Sequence, residues 1–431
     1  MSIDLQHNEE KKESNRMIEI WSLGIGEPLV ISGDNVRLRR LGNFSNYISE
    51  DNSINYRYFS ISFDHYKKTQ LTEHDEVFEI KPNYYIHVSH VPGYKKNISL
   101  ERVITHYCGA KKIRQEMEQI EKKPDVIFCM NQPLELIKEA STFASKHDIP
   151  LIIDVRDLWP DVFKDSVPSK YRNIINIYVE YCRKSIKKSL KEAVSFIGLS
   201  KSFLNYELDL AGRKRTDLDV VIPIGYPSYN YNYTKVQFNE LWNRYGLKNS
   251  DYIIVFAGNF GRQFQFEPII DASHILDGYS DIKFVLCGTG EQLDTVKAKC
   301  ADNVVFPGWI EKDMIVSLLQ FSKIGIAPYI NSYNYRQNTP NKFGEYLSAS
   351  LPILVSVDGI MNDYLTENSC GSCYSDGKDL AKKIMDIKTS QNYELMSSAA
   401  RNLYENVFDV KIMNESLKKH MIKIANNKGM K

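Results

Sequence analysis

Apolar and polar positions alternate along the chain in two blocks of one kind. In the first block, short apolar runs suited to strands recur at 17–23, 56–62, 84–90, 125–130, 150–155 and 194–199. Between most of them the apolar spacing becomes helical, as in Leu134–His147. The pattern then restarts, with strand-like runs at 253–257, 283–287, 304–306, 324–327 and 353–357, at intervals of roughly 20 to 30 residues, the length of a strand-loop-helix unit. Strands alternating with helices predict two α/β domains, each a doubly wound parallel sheet covered on both faces.

The clearest single stretch is 339–356, T-P-N-K-F-G-E-Y-L-S-A-S-L-P-I-L-V-S. Pro340 suits the start of a helix, and Leu351-Pro352 closes it, because the residue before a proline is pushed towards extended backbone. Asn341, Lys342 and Phe343 then stand in a first turn whose N–H groups and dipole favour an anion. Lys342 opposes that dipole, which fits an anionic ligand, and Glu345 shares its face three residues on. An ordinary Lys342–Glu345 surface pair is the alternative.

Ligands of such sheets bind in loops at the carboxyl ends of the strands. Three further glycine-bearing loops fall on that edge of the second block: Gly258-Asn259-Phe260-Gly261-Arg262, Gly288-Thr289-Gly290-Glu291 and Pro307-Gly308-Trp309-Ile310. Glycines there let a phosphate or sugar approach the backbone.

Composition limits the function classes. The chain has 431 residues, 43% hydrophobic and 25% charged, values of a globular protein of two or three domains. A formal net charge of +1 gives no global field for nucleic acid. The polar start 1–16 carries no apolar core for a secretion signal and is expected to be disordered, so a cytoplasmic protein is expected. Among the seven cysteines, Cys370 and Cys373 form a lone C-x-x-C, a poor zinc site without a second pair. His87 and His90, three apart in a strand-like run, point to opposite faces. Asp217-Leu218-Asp219 has no supporting ligands nearby. Asp34 or Asn35 is expected to cap a helix carrying Arg37, Arg39 and Arg40 near its start.

These features together resemble glycosyltransferase family 4, the retaining enzymes of GT-B fold, in a bacterial branch that assembles surface polysaccharides. Asp154-Val-Arg-Asp-Leu-Trp-Pro160, the loop 257–262 and the P-x-K-x-x-E-Y-L pattern of 340–347 carry the resemblance. It implies two Rossmann-like doubly wound domains facing each other across a cleft, the second for a nucleotide sugar and the first for the acceptor. The domains are expected at 17–225 and 251–405, with a linker at 226–250 and a helical tail at 406–431.

The resemblance also implies roles. Glu345 holds the ribose hydroxyls, while Lys342, Asn341, the backbone at Phe343 and Arg262 meet the diphosphate. Asn259, Gly261, Gly288 and Gly290 line the donor, Trp309 and Ile310 lie at the base, and Gly33 faces the phosphates from the first domain. Arg156 and Asp157 follow a strand and are expected near the sugar or acceptor, an Arg–Asp pair bracing the loop being the alternative. Gln337 and Phe264 stand where many members carry a carboxylate and a second basic residue. No metal or other cofactor is expected.

The implied reaction is retaining transfer from a nucleoside-diphosphate sugar to a glycan or lipid-linked saccharide. A nucleotide-sugar epimerase and a non-catalytic partner subunit with a degraded donor site are the alternatives. Finally, 183–193 sets Ile186, Leu190 and Ala193 opposite Lys184, Lys187, Lys188 and Lys191, a face suited to anionic lipid and so to peripheral membrane association. The competing expectation is a helix packed on the sheet with a solvated basic face.

Overall fold

The computed structural model describes residues 16–33, 36, 38–96, 99–165 and 171–427. Asp34, Asn35 and Arg37 of the expected capped helix lie outside the described residues, as do 1–15 and 428–431. The chain forms two compact units, one running to Ile222 and resuming at Asn414, the other spanning Pro223–Met413.

The first unit opens with β1 (Ile18–Leu23), α1 (Arg40–Ile48) and β2 (Ile54–Ile61). A small hairpin, β3 (Phe63–Asp64) and β4 (Thr69–Gln70), precedes β5 (Glu76–Lys81) and β6 (Tyr84–Ser89). Then follow α2 (Leu100–Gln119), β7 (Val126–Met130), α3 (Leu134–His147), β8 (Leu151–Val155), α4 (Val162–Asp165) and α5 (Arg172–Lys191). The unit closes its sheet with β9 (Ser195–Gly198), α6 (Lys201–Ala211) and β10 (Val220–Val221). The order across the sheet is β10-β9-β8-β7-β1-β2-β6-β5, parallel except for the β5–β6 pair. Strands β7 and β8 are buried at every residue, which is why they read as unbroken apolar runs. Helices α2, α3, α5 and α6 pack in that order on one face.

The second unit begins with α7 (Lys235–Trp242) and continues as β11 (Tyr252–Ala257), α8 (Glu267–Ile275), β12 (Ile282–Cys287), α9 (Leu293–Lys297) and β13 (Val304–Gly308). Next come α10 (Lys312–Phe321), β14 (Ser322–Ala327), α11 (Tyr333–Arg336), α12 (Asn341–Ser348), β15 (Ile353–Val355) and α13 (Ile360–Glu367). The last elements are β16 (Gly371–Cys373), α14 (Gly377–Thr389), α15 (Tyr393–Leu403) and α16 (Val410–Asn426). This sheet is wholly parallel in the order β13-β12-β11-β14-β15-β16. The order reverses between β11 and β14, the switch point beside which such sheets bind ligands.

One sequence expectation is corrected. Residues 226–250 are not a linker, because Phe238 and Trp242 are fully buried and the Trp242 indole donates to Ser317 at 3.0 Å. The tail expected at 406–431 forms helix α16 from Val410. From Asn414 onward α16 belongs to the first unit, where Lys418 pairs with Asp51 at 2.7 Å and Asn414 donates to the Asn43 carbonyl. Edge strand β5 escapes the apolar pattern, because Glu76, Glu79 and Lys81 interrupt it and none of its residues is fully buried. Cys370 is buried and Cys373 lies on edge strand β16; burial pushes both thiols up to about 11.

Candidate functional site

Helix α12 starts where the sequence places it. Pro340 is the capping residue, with φ −63° and ψ 161°, and Phe343 N–H donates to the Pro340 carbonyl at 2.8 Å. The helix is amphipathic in an unusual sense, because Phe343, Glu345, Tyr346 and Leu347 are all buried while Asn341 is exposed. Phe343 packs on Tyr364 and Phe408, so its side chain is core and only its backbone is open to a ligand role.

Lys342 and Tyr346, four apart on one helix face, both grip the end of β11. The Lys342 ammonium donates to the Ala257 carbonyl, and Ala257 N–H donates to the Tyr346 hydroxyl at 3.1 Å. The ammonium also lies 4.9 Å from the centre of the Phe256 ring and 5.4 Å from that of Phe264, which favours it through cation–π attraction. The ring at 264, where the family pattern has a basic residue, is thus buried against this cation and against Tyr329.

Glu345 is 6% exposed. Its Oε1 accepts from the Tyr226 hydroxyl at 2.5 Å, and Oε2 accepts none among the described residues. Three hydrogen bonds anchor the Tyr226 backbone: its N–H donates to the Phe408 carbonyl, and its carbonyl accepts from Tyr404 Oη at 2.8 Å and from Val410 N–H, the two backbone bonds bridging Asp409. Sequence reasoning missed Tyr226 by assigning it to a linker. The one signal was the density of tyrosines at 226–233.

The glycine loops lie side by side along this edge. Gly258 N–H donates to the Cys287 carbonyl at 2.9 Å, Phe260 N–H to the Thr289 carbonyl at 2.8 Å, and Gly288 N–H to the Gly308 carbonyl at 2.7 Å. A β-carbon at Gly288 would lie 1.9 Å from the Gly258 carbonyl, and one at Gly290 would lie 2.2 Å from Asn259 Oδ1. Both have left-handed φ, +129° and +149°. Across the switch point, Gln265 N–H donates to the Pro328 carbonyl and Ile330 N–H to the Gln263 carbonyl. The structure therefore brings together Gly258, Asn259, Gly261, Gly288, Gly290 and Lys342 on one edge, with Glu345 buried in the same helix.

Other expected residues stand apart. Arg262 is exposed on its loop and pairs with Glu291 at 2.9 Å. Trp309 is 73% exposed, next to half-buried Ile310. Gly33 ends a short 3-10 turn of the first unit with φ +124°.

Arg156 makes no hydrogen bond or ion pair to Asp157 among the described residues, so the pair given as the alternative does not form. Arg156 turns inward, bonding Asp154 Oδ2 at 2.5 Å through Nε and Glu27 through Nη1. Arg40 meets the same Asp154 oxygen at 3.1 Å. Arg156 Nη2 and Asp154 Oδ1 are buried with no hydrogen-bond partner among the described residues. Asp157 therefore does not serve as the partner of Arg156. Burial lifts its carboxyl to about 6, with Arg156 and Arg39 opposing.

No group of His, Cys, Asp or Glu among the described residues is arranged to hold a metal ion. Asp219 of the D-x-D takes two bonds from Arg213 and others from the backbone of Thr216 and Phe196. His87 is buried, bonds Glu116 at 2.7 Å and stacks on Phe59.

The model of the family described as glycosyl transferases group 1 matches residues 237–406. The alpha-monoglucosyldiacylglycerol synthase of Acholeplasma laidlawii is 22% identical over 190 residues, 42% of this chain and 46% of the relative. The chain thus spans about half the length of the curated relative it matches. Among solved structures, a sucrose-phosphate synthase from Thermosynechococcus elongatus superposes with TM-score 0.68 and 14% identity, over 94% of this chain and 99% of the other. Anabaena HepE in complex with UDP gives 0.64 and 14%, over 94% and 100%. A glycosyltransferase from Rickettsia africae gives 0.66 and 14%, over 96% and 100%. These likenesses establish the GT-B fold.

Proposed function

With a glycosyl transferases group 1 domain at 237–406 and the GT-B fold as premises, we propose that this chain transfers a sugar from a nucleoside-diphosphate sugar to a glycan or lipid-linked saccharide. The reaction retains configuration and serves assembly of a surface polysaccharide at the inner face of the plasma membrane. The observation that carries the donor part is one helix, α12, presenting Lys342 at the carboxyl edge of β11 and Glu345 on a fixed tyrosine. Support also comes from the solved relatives, since HepE is described in complex with UDP and with UDP-glucose.

In this reading Lys342, the N–H groups opening α12 and Arg262 meet the diphosphate as negative charge builds on it. Fixed donors stabilise such charge far better than water does, because they need no reorganisation as the bond breaks. The positive charges on these residues serve this role without a resident metal. Lys342 then leaves the Ala257 carbonyl for phosphate, and Arg262 leaves Glu291, an exposed pair that costs little to break. Glu345 Oε2 takes the ribose hydroxyls, and Trp309 and Ile310 flank the base. On the first unit, Asp157 serves the acceptor or the transferred sugar, with Arg156 holding its loop through Asp154 and Glu27.

The test incubates the protein with a panel of nucleotide sugars and follows nucleoside diphosphate release with and without lipid-linked acceptor. Acceptor-dependent release that falls by ~100-fold or more in K342A, with unchanged thermal unfolding, is the expected result. Near-normal transfer by K342A would sink the assignment.

A further inference from the structure

The apolar face expected to meet lipid at 183–193 is already occupied, since Ile186 and Leu190 are fully buried in the first unit, where α5 packs on α3 and α6. The exposed apolar residues lie elsewhere in that unit. The first half of α5 carries Ile174 at 70% exposure, Ile177 at 74% and Tyr181 at 69%, beside Tyr171 and Tyr178. The first half of α2 carries Leu100 at 77%, with Val103, Ile104 and Tyr107 each about half exposed. Residues 100, 103, 104 and 107 form one helical stripe pointing away from the sheet.

Both stripes fall at one end of the unit. Helix α2 leaves the carboxyl end of β6, and α5 follows the carboxyl end of β8 through α4. Each then runs back along the sheet to the start of a parallel strand, so their first halves share the carboxyl edge, with α3 packed between them. That edge also carries the loop of Arg156 and Asp157.

The charge beside these stripes is mixed over the first halves of the helices, where Glu101, Glu135 and Glu180 lie, and turns strongly basic along the second half of α5. Helix α5 holds six basic residues (Arg172, Arg183, Lys184, Lys187, Lys188, Lys191) against Glu180 alone, a net of +5. At the start of α2, Lys68 and Arg102 converge on the Tyr94 ring at 4.4 and 5.8 Å, with Arg39 over Tyr66 nearby. The half-buried His65 ring is pushed down to about 4 by burial and then by Lys68 and Arg102, which marks a positive local field.

We propose that the first halves of α2 and α5 form one lipid-docking surface by which this unit lies on an anionic bilayer, Ile174, Ile177, Tyr181, Leu100 and Val103 entering the interface. Exposed aliphatic and tyrosine side chains ringed by lysine and arginine match the headgroup boundary, where rings sit half wet and lysines meet anionic phosphates. A second copy of the chain fits less well. A two-fold contact through this face would set one helix of net +5 near another. No helix among the described residues is long and apolar enough to cross a membrane, so the attachment is peripheral. The proposal deepens the lipid-linked acceptor part of the function above, but it is tested with no donor or acceptor present, so its failure leaves the donor reading standing.

Full-length protein is floated with vesicles of equal parts phosphatidylglycerol and phosphatidylcholine, and with phosphatidylcholine alone. Binding to the anionic vesicles is expected to exceed binding to the neutral ones by ~10-fold and to weaken as salt rises. The pairs I174E/I177E and V103E/I104E should each weaken it by ~10-fold or more, since burying a charge at the interface removes the apolar gain. V236E, at an exposed apolar position on α7 of the other unit, should leave it unchanged. As a measure that needs no disruptive change, the fluorescence gained in Tyr181→Trp should be quenched by lipids brominated near the headgroup. Equal binding by all variants, or an added indole signal that the brominated lipids leave unquenched, overturns the proposal. So does a dimer in solution that I174E/I177E dissociates while vesicle binding stays the same.

Discussion

The hydroxyl of Tyr226 donates to Glu345 Oε1 at 2.5 Å, joining residues 119 positions apart. The bond holds the carboxylate in one orientation and leaves Oε2 for two adjacent hydroxyls. Removing a hydrogen bond to a charged group costs ~1.5–3 kcal/mol, here divided between stability and the alignment of Glu345. Y226F should therefore raise the donor KM by ~10-fold with a smaller change in kcat, if the proposed ribose contact of Glu345 is equal in ground and transition states. In an E345Q background the same change should add little. A double-mutant cycle on donor KM checks this, and additive effects would mean that the two residues act separately.

Gly258 and Gly288 face each other but should respond oppositely to a methyl group. At Gly258 the new β-carbon would lie 1.9 Å from Lys342 Nζ, the far end of a long side chain that can swing away. At Gly288 it would lie 1.9 Å from a backbone carbonyl, at a φ of +129°. G258A should thus keep its stability within ~1 kcal/mol while displacing the ammonium and lowering transfer by ~10-fold. G288A should lose ~3 kcal/mol or more, from left-handed strain added to a backbone clash. Urea unfolding of both variants beside their transfer rates separates the two effects.

The strands were legible because each lies in a parallel sheet covered on both faces, so local hydrophobicity alone marks it; 150–155 and 253–257 differ from β8 and β11 by one residue. Helix α12 was legible because Pro340 and Pro352 bracket it. What escaped depended on long-range contacts. Tyr226 lies among Tyr, Asn and Ser residues that look like loop, and only its bonds to 345 and 404–410 make it structural. Arg156 sits beside Asp157 in sequence, yet its partner Glu27 comes from the loop after β1. The amphipathic pattern at 183–193 does mark a helix, the second half of α5. Whether sheet or lipid covers its apolar face depends on burial, which periodicity does not report.

Trp309 offers a test in which structure and function separate. At 73% exposure its loss should change stability by no more than ~0.5 kcal/mol, the usual range for surface positions. If the ring flanks the base of the donor, W309A should weaken nucleoside diphosphate binding by ~10-fold, in line with ~1–3 kcal/mol for a base stacked on an aromatic side chain. Calorimetric titration of wild type and W309A measures it. Equal affinities would move the base to another part of the edge.

Asp157 should make the first unit lose stability as pH rises. Burial lifts its carboxyl from 3.8 to about 6, so between those values the folded chain holds a proton that the unfolded chain has released. Stability falls with pH wherever the folded state binds more protons. The contribution is full below pH 3.8, declines through the interval and is lost above about 6. Its full size is on the order of 3 kcal/mol from a shift of about two units. D157N cannot ionise, so it should match wild type near pH 4 and exceed it in urea midpoint at pH 7.5. The same carboxylate, charged above pH 6, is proposed to serve the acceptor or sugar, so D157N should gain stability at neutral pH while losing transfer. A D157N variant equal to wild type in urea midpoint at pH 7.5 would mean that water reaches the carboxylate and that burial does not hold its proton.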